Sequence, residues 1–300
     1  MGSAGPIGPA FPVIADILVN GLVRSGVYAM LALGFGLVFG VGRVLNLAHT
    51  AFYMVASYGI LHFVTTGLGT PLAVTLTALG VIAVGLALYK FFIEPVREME
   101  STVLIATLAV AILLQELILV LFGSEVRHVP AAFPGYTRIA GVRLGNQEMA
   151  TLVLATISLI GTWLLLSRTR LGLAIRAAAQ DREVANLMGI NVNRVTAIVM
   201  ALGFLLASLA GAAVAPLLPV EPRMWMHPLV IVLAAVVLGG LGSLKGSVIG
   251  AVILAFAEVL VVFLIPGGSY LRTAVALLIM VCVFLIRPEG LFGASATEER

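Results

Sequence analysis

Charge is scarce in this chain. Only 10% of its 300 residues are Asp, Glu, Lys or Arg, whereas a soluble domain carries about a quarter. An ordinary soluble domain is therefore excluded. Aspartate is scarcer still: Asp16 and Asp181 are the only two, far apart in sequence. Asp-rich prenyltransferase motifs and paired-Asp intramembrane proteases are excluded with them. Cysteine is nearly missing, and the single Cys282 lies in an apolar run, so neither a disulfide nor a Cys-based metal site is expected. The four histidines (49, 62, 128 and 227) have no metal-ligand spacing such as H-E-x-x-H, and no Gly-x-Ser-x-Gly elbow is present. These absences point away from an enzyme: no catalytic residue and no metal ligand is expected.

What the chain has instead is apolar sequence, 61% hydrophobic with a mean hydropathy of +1.15. Continuous runs of roughly 17–25 residues are long enough to cross a bilayer as helices. Only helices and closed barrels satisfy every backbone group in lipid, and unbroken runs rather than period-2 alternation select helices. The expected fold is an all-α polytopic membrane bundle of eight or nine transmembrane segments. The runs lie at about 13–41, 48–66, 70–92, 102–122, 150–167, 195–218, 228–242, 246–266 and 270–286. The first is long and contains Arg24, so a surface helix (13–22) followed by a span (24–41) is expected. The seventh and eighth are split only by a Gly-rich block, and read as two short spans or a re-entrant pair. No low-complexity linker divides the chain, so residues 1–300 read as one transmembrane domain.

The net charge of +3 and pI near 9.3 suit cytoplasmic Lys/Arg loops rather than nucleic acid. With the polar stretch 168–194 placed in the cytoplasm, Arg43, Lys90, Arg97, Arg168, Arg170, Arg176, Arg182, Arg194, Lys245, Arg287 and Arg300 fall inside. Arg24, Arg127, Arg138, Arg143, Arg223 and Arg272 fall outside. The N-terminus is then external, the C-terminus cytoplasmic and the Pro/Gly-punctuated loop 123–149 external. Met1–Ala10 carries no Lys or Arg and lacks the basic start of a cleavable signal peptide.

The stretch 168–194 is a polar island between two apolar runs. Gly172 to Met188 is predicted as one helix, with Leu173, Ala177, Val184 and Leu187 on one face and Arg182, Glu183 and Asn186 on the other. Gly189 is a natural closing residue. The small surface at Ala177-Ala178-Ala179 lets another protein approach closely. A helix lying on lipid headgroups is the other reading.

Several polar residues interrupt the apolar runs. Asn46 and His49 lie near a membrane surface, with Tyr53 one helical turn beyond. They read either as a helix cap and a bonded histidine or as part of a translocation path or gate. Gln115 and Glu116 sit mid-span, as does Glu258. A carboxylate there must be protonated, bonded to another helix or exposed to a cavity. The block Gly239-Gly-Leu-Gly-Ser-Leu-Lys-Gly246 is not a phosphate-binding loop, because Lys245 precedes Gly246 and Ser247 rather than following the glycine. Gly239, Gly242, Gly246 and Gly250 recur at the spacing of close helix packing.

The island, with its Arg-x-Arg-x-Gly-x-Ala-x-Arg-Ala-Ala-Ala and Leu-Met-Gly-Ile-Asn, resembles the cytoplasmic loop of ABC importer permeases of the branched-chain (hydrophobic) amino acid family. Asn46-Leu-Ala-His49, Glu94-Pro-Val-Arg97 and Val237–Gly246 are similar to three further blocks of that family. The match runs over most of residues 20–290. Thr50 stands where the family usually has Gly, and Glu94 where it has Arg.

The resemblance implies a transport subunit in the bacterial cytoplasmic (inner) membrane that pairs with a second homologous permease or with itself. Two cytoplasmic ATP-binding subunits would carry ATP and Mg, and an extracytoplasmic binding protein would deliver substrate. It implies ATPase coupling through Arg176, Ala177, Ala178, Asp181, Arg182, Leu187 and Gly189. Branched-chain or other hydrophobic amino acids are the expected cargo, with urea, short amides or aromatic acids as the alternative within the class. An ion-coupled secondary transporter, relaying protons through Glu116 or Glu258, is the rival from another class.

Overall fold

The computed structural model describes residues 10–97, 99–139, 142–287 and 290–292. Readings that concern Met1–Pro9 and the C-terminal tail lie outside them. Among the described residues eleven α-helices follow one another: α1 Ala10–Gly42, α2 His49–Thr65, α3 Thr70–Leu88, α4 Glu100–Phe122, α5 Asn146–Arg168, α6 Arg170–Gln180, α7 Arg182–Leu187, α8 Val192–Val214, α9 Met226–Gly239, α10 Leu244–Leu264 and α11 Arg272–Ile286. Among the described residues six helices are long and apolar enough to cross a membrane, namely α1, α3 with its extension to Val96, α4, α5, α8 and α10. The helices α9 and α11 are apolar but only 14 and 15 residues long. The fold is an all-α polytopic membrane protein, with six such helices where eight or nine spans were expected.

The first run corrects its expected division. No break separates a surface helix from a span: α1 is continuous over 33 residues. The reason lies at Arg24, whose charge is answered within the fold rather than at a headgroup. Helix α1 packs on α10, α8, α5 and α9, and α8 on α1, α2 and α3. These two helices are the most enclosed of the spans, while α5 leaves most of its surface outside.

Local chemistry sets the ends. Asn46 Oδ1 accepts from the Ala48 amide at 3.1 Å and turns the chain into α2. At the end of α3, Pro95 cannot donate to the helical ladder. The helix widens into a π-turn at Tyr89–Ile93 and a 3₁₀ turn at Glu94–Val96. Glu148 accepts from the Gly145 amide at 3.1 Å and starts α5. The link from α9 to α10 turns through Gly240 (φ 98°) and Gly242 (φ 91°), conformations open to glycine. Ser243 Oγ then caps α10 at the Gly246 amide.

Of the four glycines expected to pack helices, Gly239 and Gly246 meet backbone to backbone and Gly250 rests on the Ala235 carbonyl. Gly242 instead makes the turn. The loop after α4 adds one element absent from the expectation. A two-stranded antiparallel hairpin, β1 Tyr136–Ile139 and β2 Val142–Gly145, pairs Tyr136 with Gly145 and Arg138 with Arg143.

Candidate functional site

The polar island folds as two helices rather than one. Asp181 interrupts the expected 172–188 helix. Its backbone is extended (φ −148°, ψ 118°), and its Oδ1 accepts from the Glu183 and Val184 amides at 2.8 and 3.0 Å. The carboxylate at a helix start supplies the two bonds that the first turn lacks. One helix earlier in the island, Thr169 Oγ1 accepts from the Gly172 amide at 3.0 Å and starts α6. Gly172 presses on the carbonyls of Leu165 and Leu166, so α6 folds back over the end of α5. A side chain at that position would hold the two helices apart.

Gly189 closes the island as expected, at φ 84°, with the Ile190 amide bonded to the Ala185 carbonyl at 3.0 Å. Gly172, Ile175, Ala178 and Ala185 are buried, and α6 rests on α5, α8 and α1. Leu173, Val184, Leu187 and Met188 point away, Leu187 with 86% of its surface exposed and Met188 with 78%. Thus an apolar patch stands clear of the chain that supports it.

The expected coupling residues divide accordingly. Leu187 is outward. Ala178 is inward and Ala177 half-buried. Arg182 donates to the Gly42 carbonyl at 3.3 Å and ties the island to the end of α1. Asp181 is occupied as a cap. Arg176 faces a groove beside α10 rather than the outward patch. Arg97 donates to Asn193 Oδ1 at 3.1 Å beside the same end of the bundle.

Within the bundle, Asn46, His49 and Tyr53 are all enclosed. A methyl group on Gly34 would meet the His49 imidazole at 3.0 Å, and Gly203 of α8 faces the same ring. Phe35 meets the imidazole edge-on, with ring centres 6.0 Å apart. Both His49 nitrogens, Asn46 Nδ2 and Thr50 Oγ1 lack a hydrogen-bond partner among the described residues. The Tyr53 carbonyl approaches Gly211 of α8, whose carbonyl accepts from Ser57 at 3.2 Å. These residues lie between α1, α2 and α8.

Gln115 Nε2 donates to Glu116 Oε1 at 3.3 Å, yet the two residues have different surroundings. Gln115 is buried and accepts from Trp225 Nε1 at 2.9 Å, joining α4 to the start of α9. Glu116, its neighbour, lies on the exposed side of α4 among Ile112, Leu113, Leu117 and Val120.

Glu258 is fully buried and bonded to another helix, one of its three expected states. Its Oε1 accepts from Arg24 at 2.6 Å and its Oε2 from Tyr28 at 2.8 Å, both on α1. Arg272 Nη1 stands 3.8 Å and His227 Nε2 3.7 Å from Oε1. His227 and Arg272 occupy the first turns of α9 and α11, so side chains from the starts of two helices reach one carboxylate. None of these four partners was assigned to Glu258 from sequence. The available signal was Arg24: a cation and a carboxylate, each alone in an apolar run, need each other.

Comparison with known proteins concerns the chain as a whole. A family model described as branched-chain amino acid transport system / permease component matches residues 17–284. The high-affinity branched-chain amino acid transport system permease protein BraD of Pseudomonas aeruginosa is 29% identical, over 94% of this chain and 96% of its own. LivH of Salmonella typhimurium, of the same description, is 28% identical over 94% and 96%. A probable branched-chain amino acid transport permease protein LivH of Methanocaldococcus jannaschii is 28% identical over 92% of each. Among solved structures, a chain of PsaBC from Streptococcus pneumoniae in complex with Fab superposes with a TM-score of 0.52. It covers 91% of this chain and 92% of its own at 17% identity, a likeness of fold alone.

Proposed function

This chain belongs to the branched-chain amino acid transport permease family, and on that premise we propose that it is a membrane-spanning subunit of an ATP-driven importer of branched-chain or other hydrophobic amino acids. The substrate class follows the printed names of BraD and LivH. The observation that carries the ATP-driven reading is the island. It is capped at both helix starts, anchored by Arg182 on α1, and presents Leu187 and Met188 outward. Large exposed apolar side chains rimmed by polar ones mark a surface that another protein covers. A cytoplasmic ATP-binding subunit is that protein, with ATP and Mg held there.

In this reading residues 1–300 form one permease domain in the cytoplasmic membrane, its N-terminus external and its C-terminus and island cytoplasmic. It pairs with a second permease, and two ATP-binding subunits receive the two islands. An extracytoplasmic binding protein delivers substrate to the opposite end. There the 127–128 region and the 219–220 region are joined by paired backbone bonds between Arg127 and Val220, at 3.0 and 2.8 Å. Movement of the ATP-binding subunits reaches the bundle through Arg182 and α1. Asn46, His49 and Tyr53 act at the packing between α1, α2 and α8, where the gate changes state. Glu116 faces the transport path, since an ionisable group at the centre of a span costs about 2.5–3.5 kcal/mol against lipid.

The test is leucine uptake into vesicles containing the chain with its partner subunits and binding protein. Uptake requires ATP inside the same vesicles and persists when the proton gradient is collapsed. Uptake driven by a proton gradient without ATP would overturn the reading in favour of a secondary transporter.

A further inference from the structure

The surface between α1, α5, α6 and α10 is cut by a groove of about 750 Å³. Leu159, Ile160 and Trp163 of α5 form one wall and Val248 and Ile249 of α10 the other, with Leu33 of α1 as the floor. Arg176 and Lys245 line the same groove beside Ser167. Their meeting follows from the backbone. Gly172 brings α6 back onto the end of α5, which carries Arg176 to the groove. Lys245 lies in the first turn of α10, at the same end. No carboxylate lines the groove, and among the described residues neither cation has an ion-pair partner.

We propose that this groove binds an anionic phospholipid, with an acyl chain between α5 and α10 and the phosphate on Arg176 and Lys245. The apolar part runs along α5 from Leu159 to Leu166, about 10 Å at 1.5 Å per residue. Its walls belong to two helices that cross the bilayer, so a lipid tail reaches it without leaving the membrane. Basic pockets between membrane helices at the cytoplasmic side select anionic headgroups. A free phosphate would use the cations and leave the apolar walls empty. A second copy of the chain would need to bring carboxylates to two cations. The lipid satisfies both ends together. It also bridges α6 to α10, so its occupancy bears on how firmly the island is held. The inference rests on α5 and α10 crossing the bilayer, and stands whether or not the island docks an ATPase.

Native mass spectrometry of the detergent-purified protein tests it, with phosphatidylglycerol and phosphatidylcholine of matched chains as probes. Phosphatidylglycerol adducts are expected to survive at several-fold lower lipid concentration, with inorganic phosphate at millimolar level not displacing them. Combined R176Q and K245Q substitution weakens retention about thirty-fold, roughly five-fold per cation. Val248→Trp fills the groove and abolishes retention with both cations intact. Equal retention of the two lipids, or an unchanged double variant with an unshifted unfolding transition, would overturn the proposal. Competition by phosphate would assign a phosphate site instead. Dissociation of a dimer by Val248→Trp, without change in lipid retention, would give the groove to a second copy.

Discussion

Glu258 of α10 and Arg24 of α1 bond side chain to side chain at 2.6 Å across 234 residues of sequence. The carboxylate is fully enclosed and the guanidinium largely so. Each charge is tolerable at that depth because the other is present, and Tyr28 takes the remaining oxygen.

Removing one partner of such a pair strands the other. Glu258→Ala is expected to destabilise the protein by about 3–5 kcal/mol. Glu258→Gln keeps the volume and an acceptor for Tyr28, and should cost less. Thermal unfolding in detergent ranks the two variants. Equal stability of Glu258→Ala and the parent would show that the pair contributes nothing.

Asp181→Ala leaves the Glu183 and Val184 amides without their acceptor. A lost N-cap costs about 1 kcal/mol, confined here to the six residues of α7. Amide exchange at 182–188 should quicken while that of α8 stays slow, and Asp181→Asn should restore protection. Uniform exchange across both helices in Asp181→Ala would remove the cap from the account.

Leu187→Glu places a charge in the exposed patch without touching the buried Ile175, Ala178 or Ala185. Co-purification of the ATP-binding subunit should fall at least ten-fold, with the unfolding temperature unchanged. Retained co-purification would move the docking surface elsewhere.

Gly246→Leu drives a side chain into the Gly239 backbone. Overpacking costs about 1–3 kcal/mol where neighbours can yield, and a backbone neighbour yields least. The loss should exceed that of Gly40→Leu, which meets open space. The comparison is read from paired melting curves.

Much of the architecture could be read from sequence. Apolar run length marked the membrane helices, and Gly189 marked the end of the island. The break at Asp181 escaped because helix periodicity continues across it, while an Asp can equally cap a new helix. Arg24 looked like a membrane boundary for a related reason. A lone charge in an apolar run signals either a surface or a distant partner, and nothing local distinguishes them. Glu258 was visible as an anomaly, but its partners lie on α1, α9 and α11, brought together only by tertiary packing. The resemblance implied one coupling role for Arg176 and Leu187 on the island. The fold separates them, because Gly172 and the α6–α7 bend decide which side of each helix faces inward.

The short helices α9 and α11 have a geometric consequence. At 1.5 Å per residue they measure about 21 and 22 Å, against a hydrocarbon core of about 30 Å. Their first turns meet at the Glu258 cluster. Neither helix spans such a core upright on its own, so the charges gathered by Glu258 sit at the starts of two helices too short to cross.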